Sequence, residues 1–115
     1  MRVYELNLMP DDETGNVLRE FQANGIELSR PLEMDFFVAV PSKKSGDKIA
    51  VKVKCLGFKP SVEKDNETGD WTCYCTKTLI PEYSEVVKIE KELDSIAQPL
   101  GGFADGFGFY AGQKI

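Results

Sequence analysis

Pro31-Leu32-Glu33-Met34-Asp35-Phe36-Phe37-Val38-Ala39-Val40-Pro41-Ser42 is the stretch that decides the fold. Leu32, Met34, Phe36, Val38 and Val40 alternate with Glu33, Asp35, Phe37 and Ala39. A period of two puts the first set on one face of a β-strand and the second on the other. Pro41-Ser42 closes the strand, and Ser42 is suited to cap a helix by accepting a hydrogen bond from its first turn. In that helix Ile49, Val53 and Leu56 share a face, with Ala50 beside them, and Gly57 ends it. Ser45-Gly46 weakens its first turn.

On the C-terminal side, Phe58 to Lys64 reads as a strand in which Pro60 points to an edge or bulge position. The polar turn Asp65-Asn66-Glu67-Thr68-Gly69-Asp70 joins it to a third strand, Trp71 to Leu79, as a hairpin. Pro81 starts the most regular helix, with Val86, Ile89, Leu93, Ile96, Ala97 and Leu100 on one stripe, and Gly101-Gly102 stops it. Phe103 to Tyr110 is a glycine-interrupted last strand, and 111–115 a loose tail. On the N-terminal side, 1–12 is an irregular acidic lead-in. A short helix follows from around Thr14-Gly15-Asn16, with Asn16 as N-cap and Asn24-Gly25 as its end. After that helix the order is β-α-β-β-α-β. This predicts a single α+β domain over 1–115, a ferredoxin-like two-layer sandwich with an antiparallel four-stranded sheet and an extra N-terminal helix.

Composition narrows the function. The 115 residues are 42% apolar and 29% charged, as in a globular domain. No apolar run approaches the ~20 residues that span a bilayer, and the start carries no signal-peptide pattern, so a cytoplasmic protein is expected. There is no histidine, the commonest general acid–base residue, so an enzyme is not expected. The three cysteines, Cys55, Cys73 and Cys75, form no zinc or disulfide framework, and neither metal nor cofactor is expected. The net charge of −5 is uneven: −5 over 1–35, +5 over 36–62 and −5 over 63–115. An acidic whole disfavours general nucleic-acid binding.

Four stretches, in order, are similar to the family of regulators of ribonuclease E activity, type B, which are protein inhibitors of that endonuclease. They are Pro10-Asp11-Asp12-Glu13-Thr14-Gly15-Asn16-Val17-Leu18, Leu28 to Phe37 with Pro41-Ser42, Leu56-Gly57-Phe58, and Gly101-Gly102-Phe103-Ala104-Asp105-Gly106-Phe107. The last resembles the family's closing Gly-Gly/Tyr-Asp-Gly-Trp stretch, with Ala104 where Tyr is usual. The resemblance implies the βαββαβ fold and a protein that docks on ribonuclease E, or on a related decay-complex scaffold, outside the catalytic site.

Three surfaces are candidates for that contact or its rivals. Asp11, Asp12 and Glu13 can steer the chain toward a basic partner. Phe103, Asp105 and Phe107 on the closing strand are a second partner-binding set. Lys44, Lys48 and Lys52 make an RNA-binding alternative, set against a reading in which the lysines pair with Glu82, Glu85, Glu90 and Glu92 of the next helix. A small-molecule-binding regulatory domain is a further alternative for this architecture. Phe36, Phe37, Trp71 and Tyr74 fall on central strands, where RNA-recognition domains stack bases. Glu33 and Asp35 beside Phe37 repel phosphate, so these aromatics are expected to lie beneath the first helix or a partner.

Overall fold

A computed structural model describes residues 12–109, with Phe109 by its backbone alone. The elements are α1 (Glu13–Ala23), β1 (Leu32–Val40), α2 (Lys43–Cys55), β2 (Lys59–Lys64), β3 (Trp71–Leu79), α3 (Tyr83–Ala97), a 3-10 turn (Gln98–Leu100) and β4 (Phe103–Phe109). The four strands form one antiparallel sheet in the order β2-β3-β1-β4. The expected βαββαβ order, the four-stranded sheet and the extra N-terminal helix are all present. β2, the strand with Pro60, lies at an edge, where a missing N–H is tolerated.

The alternation in β1 is realised residue by residue: Met34, Phe36, Val38 and Val40 are buried and their neighbours are not. Cys75 and Cys73 stand opposite Phe36 and Val38 on β3, and Phe107 stands opposite Phe36 on β4. Residues directly opposite in an antiparallel pair share a face, so these side chains form one apolar layer. Ile49 and Val53 of α2 and Val86, Ile89, Leu93 and Ala97 of α3 close over it. Phe36 is the hub, with Phe58 edge-on at 6.3 Å and Phe107 at 5.9 Å. Cys73 and Cys75 lie inside this layer with their Sγ atoms 3.9 Å apart, and their mutual contact and burial push the Cys75 thiol far up. Cys55 is exposed at the end of α2.

Two helix ends differ from expectation. The first helix is capped by Asp12, not Asn16: Asp12 Oδ1 accepts the Gly15 N–H at 2.8 Å, so the helix starts one turn earlier. Leu56 is not a core residue but 40% exposed. Gly57, at φ +95°, turns the chain so that the Phe58 N–H reaches the Val53 carbonyl and the Gly57 N–H that of Lys54. This is a Schellman closure, which brings the residue after the glycine back onto the helix. Phe58 therefore takes the core position expected of Leu56. Ile96 packs at the rim of the core rather than within it. Gly46 has a packing reason: a Cβ there would sit 2.8 Å from Val62 Cγ1, because α2 lies close on β2.

The first helix packs on the helical side of the sheet. Leu18 is fully buried and the Phe21 ring meets Phe107 edge-on at 6.0 Å. All three described helices thus cover one face. The other face carries Glu33, Asp35, Phe37 and Ala39 of β1 and Thr72, Tyr74, Thr76 and Thr78 of β3, and no described helix lies on it. Of the two covers expected for Phe37, the first helix or a partner, the first helix is on the opposite face; the Phe37 ring lies edge-on to Tyr74 at 5.7 Å and over β4. A Cβ on Gly106 or Gly108 would come 3.9 or 3.5 Å from that ring, so the glycines of β4 leave room for it.

Candidate docking surface

The closing strand is where the two faces part company. Ala39 pairs with Phe103 and Val38 with Ala104, but Phe36 pairs with Phe107. Two residues, Asp105 and Gly106, therefore stand against the single Phe37, which is a β-bulge, and Gly106 has φ +106°. Phe103 and Phe107 are four apart and would share a face in a regular strand. The bulge separates them: Phe103 stands on the uncovered face, 52% exposed, while Phe107 is 9% exposed in the core. Asp105 stays with Phe103.

Phe103 and Asp105 border a cleft of about 460 Å³ at the end of the sheet where the β2–β3 turn comes up beside β4. Asp65, Asp70, Trp71 and Tyr74 also line it, and no Lys or Arg does. The turn is ordered by Asp65, whose Oδ1 accepts the N–H groups of Glu67 at 2.8 Å and Thr68 at 3.2 Å. Further along the same face, Thr76 Oγ1 donates to Asp35 at 3.1 Å. Burial, and then the charges of Glu63 and Glu33, hold the Asp35 carboxyl above its ordinary range, the Thr76 bond opposing them in part.

The N-terminal acids are placed differently. Asp11 lies outside the described residues, as do the tail and most of the lead-in. Asp12 and Glu13 are exposed at the start of α1, but Asp12 is also a structural residue. It caps α1 and accepts a hydrogen bond from the Tyr83 hydroxyl of α3, and these two bonds hold its carboxyl below the usual range. Two residues on, Thr14 Oγ1 donates to Glu90 Oε1 at 2.7 Å. Burial pushes the Glu90 carboxyl up, the Thr14 bond opposes this, and the charges of Glu13 and Asp12 add to it. Asp12, Thr14, Tyr83, Glu90 and Asp94 line a groove of about 640 Å³ between α1 and α3. Tyr83 and Glu90 had no signal in the sequence beyond their helix, because their partners lie 71 and 76 residues away.

Lys44, Lys48 and Lys52 are exposed on α2, in the helical layer. None of them forms an ion pair with a described residue, so the expected pairing with the glutamates of α3 is not found; the basic residue of α2 that is paired is Lys43, with Asp47 at 2.8 Å. Among the described residues no group of Cys, Asp and Glu is arranged to hold a metal ion, and no helix is long and apolar enough to cross a membrane.

The class is that of a two-layer α+β domain whose three described helices lie on one face of its sheet, the other face being acidic and aromatic and covered by no described helix. The profile of the family described as regulator of ribonuclease activity B matches residues 11–109, and the chain belongs to that family. The family is one of ribonuclease regulators, which implies a protein partner. A search of curated proteins finds no match to the chain.

Proposed function

We propose that the chain acts in the cytoplasm as a non-catalytic regulator that docks on ribonuclease E, or on the scaffold of its decay complex, outside the catalytic region, and so changes which transcripts are cut. The observation that carries this reading is the family match over nearly all of the described chain. The chemistry of the surface is in keeping with it. The sequence has no histidine, and the two carboxyls held above their usual range, Asp35 and Glu90, are on different elements, one on the open sheet face and one against α1.

The test is a cleavage assay with full-length ribonuclease E and with its catalytic region alone. The chain is expected to slow the full-length enzyme and to leave the catalytic region unaffected. Equal inhibition of both, or none of either, overturns the reading. The rival in which α2 binds RNA rests on Lys44, Lys48 and Lys52 being free of ion pairs with described residues. It predicts that substrate RNA alone is shifted by the chain and that replacing the three lysines abolishes the shift.

A further inference from the structure

We propose that the open sheet face is the docking surface, and that the cleft between the β2–β3 turn and β4 receives an arginine side chain from an extended basic segment of the protein partner. The proposal rests on the protein-docking function above and adds the surface and the chemistry of what it takes.

Charge complementarity carries it. Asp65, Asp70 and Asp105 converge on a cleft that contains no cationic side chain. Neither Asp70 nor Asp105 has an ion-pair partner among the described residues. A cation entering the cleft meets three residues of opposite charge. The face continues acidic with Glu63, level with Thr72 beside the cleft, and with Asp35 further toward the other end of the strands. The basic residue on it, Lys59, lies 3.9 Å from Glu33.

The aromatic lining selects the kind of cation. Phe103 is half-exposed at the mouth of the cleft, and the Tyr74 ring, on the open face beside Phe37, forms part of its wall. A guanidinium stacks on such rings and bonds a carboxylate through its planar fork, whereas an ammonium is a compact and strongly hydrated point charge. The face itself is suited to an extended chain. From Thr72 beside the cleft to Thr76 beside Asp35 is four residues of β3, about 13 Å at the rise of a strand. A segment with two basic residues about four positions apart therefore meets both acidic ends of the face. The same charges exclude a nucleic-acid backbone, whose phosphates would meet Asp35, Asp70 and Asp105.

The experiment uses the full chain and two labelled synthetic peptides, one with two arginines spaced four positions apart in a Gly-Ser background, the other with lysines in their place. The arginine peptide is expected to bind more tightly, to weaken as salt rises because the attraction is screened, and to lose roughly tenfold in affinity with the exposed double variant D70N/D105N. Phe103→Ser should weaken the arginine peptide more than the lysine one. Thermal midpoints of the variants close to the parent's show that the fold is kept. A control pair in the helical layer, E85Q/E92Q, should leave binding unchanged. Loss of peptide binding in the control pair and not in D70N/D105N overturns the proposal, as does equal binding of the two peptides. The outcomes also separate the cleft from the ribonuclease. If the parent and D70N/D105N slow full-length ribonuclease E equally, the cleft is wrong and the function stands. If the parent binds the arginine peptide through the cleft but leaves the ribonuclease untouched, the surface stands and the function falls.

Discussion

The two faces of β1 are made from alternate residues of one strand and answer to different demands. On one, Met34, Phe36, Val38 and Val40 meet three helices and are sealed from water. On the other, Glu33, Asp35, Phe37 and Ala39 are covered by no described helix, and acids stand beside a large ring. The covered face is uniform because dense packing punishes any polar or ill-fitting group. The open face is mixed because nothing in the fold itself requires its aromatics or its charges. Polar strands would keep the sheet in solution just as well. What is surplus to folding on that face is what a partner can use.

Substitutions on the two faces should separate accordingly. The largest effect belongs to the covered face: Leu93→Ala, at the centre of α3, should lower the stability to chemical denaturant by ~2–5 kcal/mol through lost transfer energy and the cavity left behind. Next comes the place where the faces are exchanged. Gly106→Ala puts a side chain at φ +106° and should cost about 1–3 kcal/mol. Amide exchange in that variant should quicken along β4 before it quickens in β3, and uniform loosening of the sheet would deny the bulge its role in sorting Phe103 from Phe107. Ser42→Ala removes the oxygen that receives the Ser45 N–H at 3.2 Å and should cost about 1 kcal/mol in a denaturation series, with Ser42→Asn close to the parent.

The smallest effect is on the open face and has the opposite sign. The Asp35 carboxyl is held above its ordinary value by burial and by Glu63 and Glu33, so the folded protein holds that proton more tightly than the unfolded chain does. Its contribution to stability is present below the unfolded carboxylate range and is lost as pH rises through the folded value. Asp35→Asn, which keeps an acceptor for Thr76, should therefore be slightly more stable than the parent at neutral pH, and the gap should close on acidification. A gap that widened toward acid would mean that Asp35 is stabilised as an anion.

The covered face was legible in the sequence because burial imposes a period: two in β1, and three to four in α2 and α3. Even there, one position failed for a local reason. Leu56 fits the stripe of Ile49 and Val53, yet Gly57 reverses the chain and Phe58 fills the place. The side on which α1 lies was not legible, since its apolar stripe says that it must be covered and not by what. The partner-binding set Phe103, Asp105 and Phe107 was split by a bulge that inverts the strand's period, for which Asp105-Gly106 was the available signal. Asp65 and Asp70 read as an ordinary turn because their meeting with β4 depends on strand order, which no local pattern encodes.

The edges of the sheet carry a consequence of their own. An open sheet has two edges whose unpaired backbone groups carry a risk of fibre growth, in which chains add strand to strand without end. Here β2 carries a proline, which has no N–H to donate, and has Lys59 and Glu63 along its length, and β4 is glycine-rich and kinked at Gly106. Neither is a good template for another strand. The molecule can thus leave one broad side open to company while both borders refuse its own kind.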